Sequence, residues 1–216
     1  MSTEPGLRER KKEQTRQLLG ETAHRLFAER GFDAVTVAEV ARAADVSEGT
    51  VFNYFPTKED LFYSQMEAFE EALLDAVRRR PAGESVLAAF RKLMLDRSRR
   101  LAEDERPELI ATAARIVNAS PALQAREREI VDRYTQALAA LIAEETGAGA
   151  DDVVPTAVAN ALMGAQRALR GYVWGRVLDG LRGPELAADV RKQANRAFAR
   201  LERGLGDYAV KRRAPS

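Results

Sequence analysis

Between residues 31 and 60 the chain is punctuated so densely that few folds can accommodate it. Gly31 follows Arg30 and supplies a left-handed stop, with Phe32 placed to fold back on the preceding turn. Thr36 followed by Glu39 spells a capping box, in which the hydroxyl caps the amide at Glu39 and the carboxylate reaches back. Val35 before the cap and Val40 after it have the spacing of a hydrophobic staple. A helix over 37–44 must then stop at Asp45-Val46, and Ser47 can cap a successor. That successor ends near Phe55, because Pro56 disfavours helical geometry in the residue before it. Thr57, with Asp60 three residues on, opens another helix. The spacing therefore predicts two short helices in immediate succession, held between longer ones.

Elsewhere apolar residues recur with the helical period, and no run alternates as a strand would. The first helix opens in a charged stretch (Arg8, Arg10, Lys11, Lys12, Arg16) and then carries a stripe of Leu18, Leu19, Thr22, Ala23, Leu26 and Phe27. From Thr57 to the residues before Pro81 the pattern predicts one long helix bearing Leu61, Phe62, Met66, Phe69, Leu73 and Val77. Five more are expected at roughly 84–103, 107–118, 121–146, 152–179 and 184–206, separated by Pro107, Ser120-Pro121, Gly147 to Gly149, and Gly180 to Pro184. The polar, basic tail 207–216 is expected to fray. The fold class that follows is all-α with about nine helices, organised as a domain over 1–60 and a second over 61–216.

Composition removes whole classes of chemistry. There is no cysteine, and His24 is the single histidine, so no Cys/His metal cluster is expected. No G-x-S-x-G occurs, and Gly147-Ala148-Gly149 follows a helix where a phosphate loop would follow a strand. No catalytic residue, metal or cofactor is therefore assigned, and an enzyme is disfavoured. No apolar run approaches about 18 residues, so no membrane partner is expected and a cytoplasmic location is. The net charge of +1 lends nothing to a nucleic-acid role, which must rest on where individual residues sit.

Two short helices joined by a tight turn and braced by a third form a helix-turn-helix, whose second helix enters the DNA major groove. Here that helix would be Ser47 to Phe55, with Val51 and Phe55 facing its brace. Glu48, Gly49, Thr50, Phe52, Asn53 and Tyr54 are left outside. An outward Phe and Tyr suit a covering partner. Gly49 would let the backbone approach a base pair, and Thr50 offers a methyl group suited to thymine. Lys58 stands in a first helical turn, where the macrodipole disfavours a cation but welcomes phosphate, and Thr36 could donate a second phosphate contact. The same pattern also fits a structural helical hairpin, with Phe52 and Tyr54 half-buried and Lys58 merely solvated.

The runs Phe27 to Phe32, Val35 to Ala41 and Val46 to Leu61 strongly resemble the N-terminal signature of the TetR family of transcriptional regulators. The resemblance implies a ligand-released repressor of a pseudo-palindromic operator. It places base-facing roles on Ser47, Glu48, Gly49, Thr50 and Phe52, and phosphate contacts on Thr36, Tyr54 and Lys58. Asp45 stands where the family commonly has glycine, and Asn53 where it more often has an aromatic or basic residue. It further implies a second domain whose helices enclose a small-molecule effector and whose last two helices form a homodimer. Ala157, Ala161, Gly164, Ala165 and Ala168 suit close helix approach in such a dimer. Pocket candidates by helical spacing are Phe69, Leu73, Phe90, Met94, Ile110, Tyr134, Leu138, Met163, Gln166, Arg167 and Trp174. The Ser120 to Leu123 corner is similar to regulators of acyl-CoA-like ligands, which suggests a hydrophobic effector. The rival reading is a helical protein-interaction module, which would bind no double-stranded operator DNA and leave Tyr54 and Lys58 without a role.

Overall fold

The structure, a computed structural model, describes residues 6–64, 66–102 and 107–211. Ten helices run in order: α1 Leu7–Arg30, α2 Val37–Ala43, α3 Glu48–Tyr54, α4 Lys58–Phe62, α5 Met66–Arg78, α6 Val86–Arg100, α7 Pro107–Ala119, α8 Pro121–Thr146, α9 Val154–Leu178 and α10 Gly183–Leu205. Among the described residues the remaining pairing is a single bridge between Ser85 and Val210. No helix is long and apolar enough to cross a membrane among these residues. The all-α expectation holds.

The chain divides into two compact units, one of Met1–Ala68 with Arg115–Arg126, the other of Phe69–Ala114 with Glu127–Ser216. In the first, α1 buries Leu19, Ala23, Leu26 and Phe27 along one face, against α2 and α4. Gly31 ends α1 at φ +83°, and Phe32 folds back so that its ring lies 5.1 Å from that of Phe27. Phe62 packs against both rings. Asp45 takes φ +55° in the turn between α2 and α3, the left-handed geometry this turn needs.

The long helix expected from Thr57 onward is two helices. α4 ends with Tyr63 N–H bonded to the Glu59 carbonyl, and the chain then tightens through Ser64 N–H to Leu61 and Met66 N–H to Tyr63. These three-residue closures break the helical register. The break is braced from outside the helix: the Tyr63 hydroxyl donates to the Leu123 carbonyl at 3.0 Å. Ser64 also sits so close to α1 that a Cβ on Gly20 would lie 2.7 Å from its Oγ, so this approach requires glycine. Periodicity alone could not show the break, because the apolar stripe continues through it.

The second unit is organised by α10, which packs on α6 and α9, with Phe90 of α6 and Phe198 of α10 in ring contact at 6.1 Å. Ala111, Val177, Leu186 and Val190 form a buried cluster between α7, α9 and α10. The tail does not fray as expected over its first residues. Arg80, 3% exposed, donates to the carbonyls of Val77, Glu84 and Ala209 and pairs with Glu145. Gly83 N–H bonds Lys211 and Lys211 N–H bonds Glu84, so residues 209–211 are strapped to the α5–α6 corner. Residues 212–216 of that tail lie outside the described residues.

Candidate nucleic-acid interface

The first unit presents α2 and α3 with the cap chemistry their sequence specifies. Thr36 caps α2: its Oγ accepts from Glu39 N–H at 3.2 Å, and Glu39 Oε2 accepts from Thr36 N–H at 2.8 Å and from its hydroxyl at 3.0 Å. Arg30 donates to the other Glu39 oxygen at 2.7 Å. The Thr36 backbone bond foremost, then Arg30 and the Thr36 hydroxyl, hold the Glu39 carboxyl down at about 2. The Thr36 hydroxyl proton is thus spent inside the box, and a bond from it to phosphate requires an exchange of partners.

Ser47 caps α3 through Thr50 N–H at 3.1 Å, and the two hydroxyls lie 2.9 Å apart. Val51 and Phe55 turn inward and are fully buried, as expected. Glu48, Gly49, Phe52 and Asn53 are exposed, Thr50 and Tyr54 half-buried. Phe52 is 48% exposed, a large apolar ring on open surface. A Cβ built on Gly49 would meet nothing nearer than Ser47 Oγ at 3.8 Å. Packing within the chain therefore gives no reason for glycine at this position.

Lys58 has a partner inside the chain that the sequence did not reveal. Its Nζ donates to the carbonyls of Phe32 at 3.0 Å and Val35 at 3.1 Å, and lies 4.1 Å from the Phe32 ring centre. These contacts explain a cation at a helix N-terminus without any phosphate, so the macrodipole argument loses its force. One of the three ammonium donors is left over by the two carbonyls.

The eleven pocket candidates all fall in the second unit. Leu73, Phe90, Met94, Leu138, Met163 and Gln166 are buried, Phe69, Ile110, Tyr134 and Trp174 half-buried, and Arg167 exposed. Met163, Gln166 and Trp174 share one stripe of α9 with Arg170, which pairs with Glu127 of α8 and lies over the Trp174 ring at 4.9 Å. Gln166 Oε1 is buried and has no hydrogen-bond partner among the described residues. None of the eleven lines the open groove of about 550 Å³ between α8 and α9, which is walled by residues such as Thr135, Ala139, Pro155 and Asn160. Among the described residues, no group of three or more acidic or histidine side chains is arranged to hold a metal ion.

Residues 19–64 match the family described as bacterial regulatory proteins, tetR family, and residues 84–206 match the MftR C-terminal domain. The chain belongs to the TetR family. It is 34% identical over 152 residues to the HTH-type transcriptional regulator TcmR of Streptomyces glaucescens, covering 68% of this chain and 67% of that one. Among solved structures it is similar to NalD, the secondary repressor of the MexAB-OprM multidrug efflux pump in Pseudomonas aeruginosa, with 21% identity and a TM-score of 0.58 over 87% of this chain and 96% of NalD. FadR from Bacillus subtilis, solved in complex with stearoyl-CoA, is 18% identical with a TM-score of 0.53 over 85% of this chain and 97% of FadR. At these identities the two structures show the shared fold alone. The TetR-family resemblance of residues 27–61 is thereby established, and with it a DNA-binding transcriptional regulator in place of an enzyme.

Two arginines outside the matched residues 19–64, Arg16 of α1 and Arg126 of α8, tie down this TetR-family helix-turn-helix, and no local pattern marks them. Arg16 donates to the Tyr54 carbonyl at 3.1 Å and lies over the Phe55 ring at 4.5 Å, joining α1 to the end of α3. Arg126 binds one oxygen of Asp60 through Nε at 2.9 Å and Nη2 at 2.7 Å. The first lies 38 residues from its partner and the second 66, beyond any local pattern.

Proposed function

We propose that this chain binds a pseudo-palindromic operator in the cytoplasm as a homodimer and is released by a largely apolar small molecule. In this reading residues 1–60 read DNA and residues 61–216 sense the effector and dimerise. Ser47, Glu48, Gly49, Thr50 and Phe52 meet base edges, while Thr36, Tyr54 and the spare donor of Lys58 meet phosphates. The observation that carries the reading is the outer face of α3, where an exposed Phe52 adjoins a glycine that the chain's own packing does not need. A surface left open in this way suits a partner that comes close.

The dimer is supported by one continuous small-residue face of α9. Ala157, Ala161, Gly164, Ala168, Gly171 and Gly175 recur at steps of three and four, and Ala157, Ala168, Gly171 and Gly175 are exposed. A Cβ on Gly164, Gly171 or Gly175 would meet nothing within 4 Å. Half-buried Ala165 flanks this face. Two recognition helices set about one DNA turn apart require such a pairing. For the effector, buried Met163 and Gln166 with half-buried Trp174 supply an apolar wall and one buried acceptor lacking a donor. An effector carrying an N–H or O–H would satisfy it. The stearoyl-CoA bound by FadR makes a long acyl chain the first ligand to screen.

Selection of bound DNA from a random pool tests the reading. An inverted repeat with half-sites about one turn apart is expected, and release by acyl ligands or related amphiphiles should follow in the same assay. Recovery of no preferred sequence would sink it, and sedimentation of a monomer at micromolar concentration would sink the dimer.

A further inference from the structure

The segment matched by the TetR-family N-terminal signature is poor in the charge that DNA binding needs. Residues 19–64 contain four cations, Arg25, Arg30, Arg42 and Lys58, against eight carboxylates. Three of the four are engaged within the chain: Arg25 lies 3.6 Å from Glu29, Arg30 is 2.7 Å from Glu39, and Lys58 holds the Phe32 and Val35 carbonyls. A surface with a net charge of −4 repels phosphate before any base edge is reached. The deficit is made up just upstream, where residues 7–18 hold five cations and two carboxylates.

This upstream stretch is helical, and among its described side chains the first to touch the rest of the fold is Arg16. Among the described side chains of α1 the buried ones begin at Leu19, and Arg8, Arg10, Lys11, Lys12, Glu13 and Gln14 are all exposed. Its charges oppose helix formation: cations crowd the first turns, against the macrodipole, and Arg8, Lys12 and Arg16 repel at steps of four. Among the described residues, Arg8, Arg10, Lys11 and Lys12 form no ion pair. Exposed cations at the start of a helix, with no ion pair among the described residues, suit an anionic partner.

The helical register gives this stretch a direction. Arg16 touches the Tyr54 carbonyl at the end of α3, so the line Arg16, Lys12, Arg8 extends from that junction by roughly 6 and 12 Å. Lys11 flanks Arg8 at a step of three, on one border of this face, while Arg10 falls on the opposite side of the helix from Arg8 and Lys12. We infer that Arg8, Lys11 and Lys12 form a second DNA-contact surface, which follows the phosphate backbone beside the major groove occupied by α3. It adds to the sequence-independent affinity that Thr36, Tyr54 and Lys58 provide, and leaves base choice to Gly49, Thr50 and Phe52. The inference rests on the DNA-binding reading of α3.

The test is the salt dependence of binding to selected DNA and to an unrelated duplex of equal length. For full-length protein with Arg8→Gln, Lys11→Gln and Lys12→Gln combined, the slope of log affinity against log salt should fall by about three. Between about 50 and 200 mM salt, wild type should then lose about forty-fold more affinity than the variant. Both duplexes should weaken together, with the preferred sequence unchanged and the helical circular dichroism retained. Arg10→Gln should move the slope by well under one. An unchanged slope in the triple variant overturns the surface, and an Arg10 effect equal to the others overturns its placement on one face. Failure of the DNA-binding reading looks different: wild type itself would retain neither duplex.

Discussion

Two threonine capping boxes open helices in the first unit, and they differ in what grips the second carboxylate oxygen. At α2, Glu39 returns to Thr36 and is held by Arg30, nine residues away, in a pair whose side chains are 44% and 28% exposed. At α4, Asp60 returns to Thr57 N–H at 3.1 Å and to its hydroxyl at 2.8 Å, and is held by Arg126, with side chains 27% and 13% exposed. The local device is the same. The first box is complete within the helix-turn-helix and would form wherever residues 30–39 fold. The second needs the Arg115–Arg126 segment in place, and the Tyr63 bond to Leu123 adds a second tie to that segment. A displacement of residues 115–126 is therefore felt at α4, whereas α2 is insulated from it. A ligand can exploit such a tie only through its differential affinity for two arrangements.

Asp60→Ala is the most severe way to break the comparison. It removes the carboxylate that returns to the Thr57 cap and that the Arg126 guanidinium grips, so a loss of about 2 kcal/mol is expected in urea denaturation. Thr36→Ala removes a cap alone and should cost about 1 kcal/mol. Equal losses would mean that the two boxes are energetically alike and that Arg126 adds nothing. Operator release provides a further contrast: Asp60→Ala should change the ligand concentration needed for release, while Thr36→Ala should change affinity without changing that ligand response.

Acid titration gives a smaller and more selective contrast. The Glu39 pKa is depressed from its ordinary 4.5 to about 2, so its contribution is complete above about 4.5 and is lost as pH falls toward 2. His24 of α1 also loses stability as pH falls, but because its neutral form is the favoured one. Its ring stacks on Phe62 at 5.8 Å and lies 3.4 Å from Ser64 Oγ, beside the α4 break. Burial pushes its pKa below the ordinary 6.5, partly opposed by a backbone bond at Phe62. The folded chain thus favours the neutral ring, and stability should be full above pH 6.5 and decline below it. His24→Gln should flatten the thermal-stability profile just below pH 6.5 and leave the arm at lower pH, set by carboxylates such as Glu39, intact. A wild-type profile already flat in that window would remove His24 from the account.

These cases also show what was legible in the chain. Thr36 with Glu39, Thr57 with Asp60, Ser47, Gly31 and Pro56 are local instructions, each acting within four residues, and the helices obeyed them. The inward Val51 and Phe55 followed from helical period. Arg126, Arg16 and Arg80 reach partners 66, 38 and up to 129 residues away, and no pattern in one sequence marks which arginine will do so. The partners of Lys58 are hidden for the same reason: the Phe32 and Val35 carbonyls belong to the turn after α1. The break at Tyr63 and Ser64 was hidden because Phe62, Met66 and Phe69 keep the apolar period across it.

α3 lies between the two boxes and has none, which makes it the site of the smallest and most discriminating prediction. Ser47 caps Thr50 N–H, and residue 50 offers a hydroxyl, 2.9 Å from Ser47 Oγ, where a capping box has a carboxylate to reach back to the N-cap amide. Gly49 weakens the helix further. Gly49→Ala adds a methyl group that finds ordinary contact at 3.8 Å, so helix propensity should raise stability by up to about 1 kcal/mol and Tm by about 2–4 °C. The same methyl stands on the exposed face next to Phe52, where a base pair must approach closely. Affinity for the selected operator should therefore fall, while the salt slope, set by cations elsewhere, stays as it was. Opposite signs for stability and binding would show that α3 gives up helical stability to keep a face open for DNA. If both rise together, the glycine has no part in the DNA contact and the surface around Phe52 must be assigned anew.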